Sequence, residues 1–162
     1  MFDGDEAFRI SIFRNIAIVD IAATIDEARM RKMEQAFLHL HRDFGEVGVL
    51  AIIRGTAPIP GADARTYASH IVKAHGEWLK LIATVVEDSG LVMQLFISLV
   101  RSINFIAGRS RINVFPHLTA AEEALVTGLV PWTERAKTMS ELRAAVREAR
   151  ANFATFSPGS AA

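Results

Sequence analysis

Two short runs with apolar residues on both faces constrain this chain most: Val47 to Ile53 and Leu81 to Val86. A strand shows this pattern when helices cover both faces of its sheet, as in parallel α/β folds. Between the two runs, apolar side chains recur at helical spacing, at Ala64, Tyr67, Ala68, Ile71 and Val72. The sequence therefore predicts a βαβ unit at the centre of a parallel sheet.

The elements N-terminal to this unit, a hairpin and a helix, are also predicted from local sequence patterns. The β-rich runs 8–13 and 16–22 are separated only by Arg14-Asn15, which predicts an antiparallel hairpin. No glycine follows the asparagine, so the turn type stays open. A helix is predicted next, capped by Thr24 and ended by Gly45.

Elements after the unit alternate again. A third helix spans residues 91–107, and a last short strand spans 111–115. The capping boxes Thr119–Glu122 and Thr138–Glu141 predict the starts of a fourth helix and of a tail helix. The tail helix has one apolar face, formed by Leu142, Ala145, Val146, Ala149 and Phe153.

This order predicts an α/β fold with a sheet of four to five strands. An N-terminal antiparallel hairpin leads into parallel βαβ units, and a C-terminal helix is added. We expect residues 1–130 to form the domain and 131–156 to form a helix that packs on the domain or on a second subunit. Residues 157–162 are expected to be disordered.

Composition narrows the classes of partner and chemistry. Lys+Arg and Asp+Glu both count 18, so the basic surplus of a nucleic-acid binder is missing and no nucleic-acid partner is expected. Without cysteine there is no disulfide and no thiolate ligand. Residues 91–107 are too short and too often polar for a transmembrane segment, and no secretory leader precedes them, so we expect a cytoplasmic protein.

Catalytic and cofactor motifs are missing from the sequence. It contains neither G-x-x-x-x-G-K-S/T nor G-x-G-x-x-G, the common phosphate cradles, and we predict no cofactor. Asp88-Ser89-Gly90 lacks the first glycine of a nucleophile elbow, so Ser89 is predicted as a helix cap. An anion at a helix N-terminus near Ala62 or Gly90 would be repelled by a neighbouring aspartate.

The histidines do not have the spacing of a helical metal site. His39 and His41 are two residues apart, and His70 and His75 are five apart, so neither pair matches the i,i+4 geometry. We expect these four and His117 to be solvated or capping residues. An enzyme that uses His70 or Asp63 is kept as a third alternative.

The helix at 91–107 is unusually apolar. Its only polar stripe follows Gln94, Ser98 and Arg101, whereas a helix on one sheet face needs an apolar arc of only about 100°. We expect the apolar surface that the sheet does not bury to be covered by the tail helix, a second subunit, a membrane surface or an apolar ligand. The tail helix is the simplest cover and a homodimer the next. The candidate interface or ligand surface consists of Leu95, Phe96, Leu99, Ile103 and Phe105.

Several of these features occur together in one known family. A strand ends near Glu87, an apolar helix contains Arg101-Ser-Ile-Asn104, and a short strand ends in Val114-Phe115 before a capped helix. Over residues 8–130 the chain resembles the SpoIIAA-like group of STAS domains, the bacterial anti-sigma-factor antagonists and their relatives.

The resemblance implies a non-enzymatic regulatory domain that acts by contact with a partner protein. Signalling members carry a phosphorylated serine in an Asp-Ser-Ser/Thr-Gly motif after the third strand. The matching segment here, residues 54–63, has no serine, and Thr56 is its only hydroxyl. The resemblance places a candidate interaction loop at Arg54, Thr56, Asp63, Thr66 and His70.

Two hypotheses of function follow. The first is a dimeric STAS-like protein-interaction module without the usual phosphorylatable serine. The second is a carrier or sensor of an apolar small molecule or lipid, bound between the sheet and the 91–107 helix, because other relatives with such a sheet bind apolar ligands.

Overall fold

The computed structural model describes residues 3–5, 7–55, 57–87 and 90–154. Thr56, the predicted cap Ser89 and the tail 157–162 lie outside these residues, as does the side chain of Phe153. The strands are β1 (Asp3–Asp5), β2 (Phe8–Phe13), β3 (Ile16–Ile21), β4 (Val47–Arg54), β5 (Leu79–Glu87) and β6 (Ile112–Phe115). The helices are α1 (Glu27–Phe44), α2 (Ala62–His75), α3 (Leu91–Ala107), α4 (Leu118–Leu129) and α5 (Arg135–Ala154), with a 3₁₀ turn at Trp132–Glu134.

The strands form one mixed sheet whose spatial order is the chain order, β1 to β6. The first three strands pair antiparallel, and β3 to β6 pair parallel, which confirms the predicted α/β class. The predicted hairpin is also confirmed, because Phe13 pairs with Ile16 across the two-residue turn. Arg14 in that turn has a positive φ of 51°. The prediction of four to five strands missed β1, a three-residue strand at the sheet edge.

Helices cover both faces of the sheet and close two separate cores. Side chains of α1, α2 and α3 pack on one face, and those of α4 and α5 pack on the other. Right-handed crossovers between successive parallel strands place their helices on one side, as α1 to α3 are. Along β4, Val49 faces the first core and Leu50 the second. Burial on both sides explains why residues 47–53 are apolar throughout.

The first helix starts later than predicted. Its cap is Asp26, whose carboxylate accepts a hydrogen bond from the backbone N–H of Arg29 at 2.9 Å, so the predicted cap Thr24 is wrong. The helix ends as predicted at Gly45, where φ is +79°. A left-handed residue of this kind favours glycine because it has no Cβ.

Neither predicted capping box caps a helix. Glu122 lies inside α4 and is 3% exposed. Its Oε2 accepts a hydrogen bond from Arg143 Nε at 3.3 Å. Burial raises the pKa of Glu122, although Arg143 acts in the opposite direction. Thr138 lies inside α5, 1% exposed, and accepts a hydrogen bond from Arg14. The i,i+3 spacing of a capping box also places two residues on one helix face, and here that face packs on neighbouring elements.

The C-terminal helix is part of the second core. Leu142 and Val146 of α5 are buried there together with Ile18 and Leu50 of the sheet. At its first turns, Arg14 of the hairpin donates to Glu141 at 2.6 Å. The tail helix therefore contributes to the second core, and α5 packs on this same chain.

Candidate functional site

The exposed face of α3 carries four large apolar side chains. Leu91 is 74% exposed, Leu95 43%, Phe105 86% and Ile106 66%. They stand at the two ends of the helix, and the exposed serines Ser98 and Ser102 lie between them on the same face. We call these six residues the α3 stripe.

The structure divides the predicted apolar surface into two sets. Leu95 and Phe105 belong to the α3 stripe, whereas Phe96, Leu99 and Ile103 face the sheet and are at most 8% exposed. Hydrophobicity alone could not separate the sets, because apolar residues occur on both sides of this helix.

The tail helix does not cover the α3 stripe. Leu142 and Val146 of α5 pack in the core on the opposite face of the sheet from α3. The expectation that the tail helix would be the cover is therefore wrong, since α4 and α5 bury their apolar faces together.

A second candidate site is a cavity between the sheet and the helices α1 to α3. Its volume is about 110 Å³ and its walls are almost entirely carbon. Three alanines, Ala51, Ala64 and Ala68, line it where larger side chains would fill the space. Other lining residues include Ile21, Met33, Val49, Phe96, Val100 and Ile103.

Polar groups at this cavity are few. Thr84 lines it from β5 and is 4% exposed. Arg65, on the first turn of α2, lines it and is exposed to solvent, as Pro60 is in part. The cavity is therefore reached from the side where β4 leads into α2.

The candidate interaction loop is not one cluster. Arg54 lies on the α4–α5 side of the sheet, where its Nε and Nη2 donate to Asp20 at 3.0 and 2.8 Å. Asp63, Thr66 and His70 are exposed on α2, which packs on the other side. The pKa of Arg54 is raised, chiefly by its hydrogen bond to Asp20. The structure therefore brings together the three α2 residues and separates them from Arg54.

The partner of Arg54 had a signal in the sequence that was missed. Asp20 is a charged residue within an apolar strand and is 2% exposed. A buried carboxylate needs a positively charged partner, and Arg54 ends the neighbouring strand. Beside this pair, Glu87 at the end of β5 accepts from Arg150 of α5, so ion pairs join the sheet edge to the tail helix.

A second cluster that the sequence did not predict joins α1 to α2. The Tyr67 hydroxyl donates to Glu34 at 2.5 Å, and His75 Nε2 lies 2.6 Å from the other carboxylate oxygen. Burial acts to raise the pKa of Glu34, but these two hydrogen bonds and the charge interactions with neighbouring histidines together outweigh it, and the pKa is lowered. His75 is partly buried, with 16% of its side chain exposed, and contacts Glu34, so the prediction of a solvated or capping residue is wrong for His75.

Among the described residues, no three His, Asp or Glu side chains are close enough to hold a metal ion. Within the same part of the chain, no helix has both the length and the apolar character needed to cross a bilayer. A scan of the sequence against models of known protein families finds no match, and a search of curated proteins finds no significant match either.

Proposed function

We propose that this chain is a non-enzymatic regulatory module of the STAS-like type that associates with a second copy of itself through the α3 stripe. The observation that carries the proposal is the exposure of Leu91, Leu95, Phe105 and Ile106 on one helix face. The order of elements, a hairpin followed by parallel strands with intervening helices, supports the STAS-like assignment.

The α3 stripe is large enough to be a functional patch. Its four apolar side chains expose on the order of 500 Å², towards the upper end of the about 300–600 Å² of the largest patch on a typical monomer, which is often functional. Two copies face to face would bury about 1,000 Å², the lower bound for a biological interface. The neighbouring exposed residues of α2 would add to this area.

The sequence of the α3 stripe also suits a twofold axis. An antiparallel pair of α3 helices crossing at the level of Val100 places Leu95 of each copy opposite Phe105 of the other. Ser98 then lies opposite Ser102, and these small side chains allow a close approach of the two helices. Each copy presents the same surface, as an isologous interface requires.

Replacing Phe105 by serine tests the interface. We expect sedimentation equilibrium to show a wild-type dimer and a dissociation constant at least about tenfold higher for Phe105→Ser, since a few large anchoring side chains carry most of the binding energy of an interface. Phe44→Ser is the matched control, because Phe44 is 54% exposed on α1, outside the stripe. A wild-type protein that remains monomeric at about 100 µM, or a dimer that Phe105→Ser leaves intact, contradicts the proposal.

The cavity favours a second function, the carriage or sensing of a small apolar molecule. Its volume of about 110 Å³ is below the roughly 300–1,000 Å³ of drug-sized pockets, so a small ligand fits better than a whole lipid. Native mass spectrometry of protein purified from cells checks this function. A retained small mass supports it, and a protein that is ligand-free in every preparation and binds no added small apolar molecule contradicts it.

A further inference from the structure

We infer that the cavity beneath α2 and α3 binds a small carboxylic acid whose apolar body carries a second hydrogen-bonding atom at its far end. The inference rests on the second function, the carriage of a small molecule, and names its ligand class. The apolar body occupies the cavity, the carboxylate lies at Arg65, and the far polar atom meets Thr84.

The volume sets the size of the apolar body. An apolar cavity of about 150 Å³ admits benzene, so about 110 Å³ fits a group of roughly one small ring or a short branched chain. Ala51, Ala64 and Ala68 leave this space on adjoining walls, from the sheet and from α2. Apolar lining on all other sides disfavours water and favours a hydrocarbon body.

Thr84 is the one hydroxyl-bearing residue among those that line the cavity. Its side chain is 4% exposed and lines the cavity wall. No hydrogen bond between its hydroxyl and another group is found among the described residues. A buried hydroxyl without a partner costs about 1–3 kcal/mol, which a polar ligand atom would offset.

The mouth of the cavity suits an anion. Arg65 lines the mouth, and no carboxylate of the described residues lies within 4.0 Å of its guanidinium. It stands in the first turn of α2, whose cap Gly61 provides no side-chain acceptor for the free backbone N–H groups. Lys73 lines the adjoining groove together with Arg65 and adds positive charge there.

Asp63, the one acidic residue in this turn, does not line the cavity. It is exposed, whereas the next two residues, Ala64 and Arg65, line the cavity. The repulsion of an anion expected from the sequence is therefore directed to solvent, where water and salt screen it.

Three aromatic probes separate the contributions of Arg65 and Thr84 to the affinity: phenol, benzoate and 4-hydroxybenzoate. Their affinities are measured by calorimetry and by NMR shifts of the lining isoleucine methyl groups. We expect 4-hydroxybenzoate to bind about tenfold tighter than either other probe, because it alone reaches both polar groups. In Arg65→Gln, 4-hydroxybenzoate should bind no tighter than phenol, because the carboxylate has lost its partner. In the isosteric Thr84→Val, 4-hydroxybenzoate should bind no tighter than benzoate, because the hydroxyl has lost its partner.

Two further variants serve as controls. Ala68→Leu fills the cavity and should abolish binding of all three probes, whereas Arg101→Gln, on the outer face of α3, should change nothing. If no probe binds, or if Arg65→Gln weakens phenol as much as 4-hydroxybenzoate, the inference is overturned. Thr84→Val preserves shape, so it decides the matter even where Ala68→Leu does not fold.

Native mass spectrometry of protein from cells separates this inference from the carrier function itself. A retained small acid supports both. A retained neutral molecule overturns the inference and leaves the carrier function standing, and a protein that retains nothing and binds no probe overturns both.

Discussion

Glu34 is a partly buried carboxylate held between two donors from another helix. Its side chain is 15% exposed, and it accepts hydrogen bonds from Tyr67 and interacts with His75. Because these contacts favour the charged form more than burial disfavours it, the pKa of Glu34 is lowered from the ordinary 4.5. Its ionisation is therefore linked to the packing of α1 on α2.

The linkage predicts the pH dependence of a Glu34→Gln variant. At pH 7 we expect the variant to lose about 1.5–3 kcal/mol of unfolding free energy, the contribution of hydrogen bonds to a charged group. A carboxylate with a lowered pKa stabilises the fold fully above its unfolded value of 4.5. The difference between wild type and variant should therefore shrink as the pH falls below that value.

Urea unfolding between pH 3 and pH 7 checks this prediction. Tyr67→Phe removes one of the two hydrogen bonds and keeps the carboxylate, so its loss should be intermediate. A Glu34→Gln deficit that stays constant across the whole pH range would show that the stabilisation does not come from the charge.

At the scale of elements, β4 and α4 approach each other closely at one glycine. A Cβ built on Gly48 would lie 2.3 Å from Leu129 Cδ1 and 2.8 Å from Leu125 Cδ2. Both distances are shorter than real contacts allow. The strand therefore has glycine where α4 packs on the second face of the sheet.

Gly48→Ala should therefore destabilise the protein by about 1–3 kcal/mol, the usual cost of overpacking a core. Gly128→Ala is the control, because nothing lies within 4 Å of its added Cβ in α4. That change should leave stability equal or raise it by up to about 1 kcal/mol, since alanine is the better helix former. Thermal unfolding measures both, and equal effects of the two substitutions would contradict the predicted contact.

The sequence predicted elements better than their ends. The strands β4 and β5 could be predicted from their apolar runs, because a strand that is buried on both faces has apolar residues at consecutive positions. The start of α4 could not be predicted from Glu122, since the same spacing serves a cap or a buried ion pair with Arg143. Which of the two forms depends on α5, which is distant in sequence.

The whole molecule depends on α5 to close its second face. Leu142 is fully buried against α4 and the sheet, while Leu38 on α1 is 37% exposed. Leu142→Ala should cost about 2–5 kcal/mol and Leu38→Ala clearly less, as measured by urea unfolding. A small loss at Leu142 would show that the tail helix is only loosely attached to the domain.

The candidate sites could be predicted only in part. The excess apolar surface of residues 91–107 was visible in the sequence, because it exceeds what one sheet face can bury. Which residues remain exposed was not visible, since that depends on how α3 is rotated against the sheet. The cavity and the contacts of Glu34 are formed by side chains from several elements, and no local sequence pattern specifies contacts between distant elements.

The agreement between chain order and strand order has a consequence for synthesis on the ribosome. Each strand from β2 to β6 pairs with the strand translated just before it, so each new strand can join the edge of the sheet as soon as it is synthesised. The helices α1 to α3 can close the first face while the C-terminal residues are still unmade. The second face must wait for α5, whose contacts with β2 and β3 bring the last-made helix back to the first-made strands.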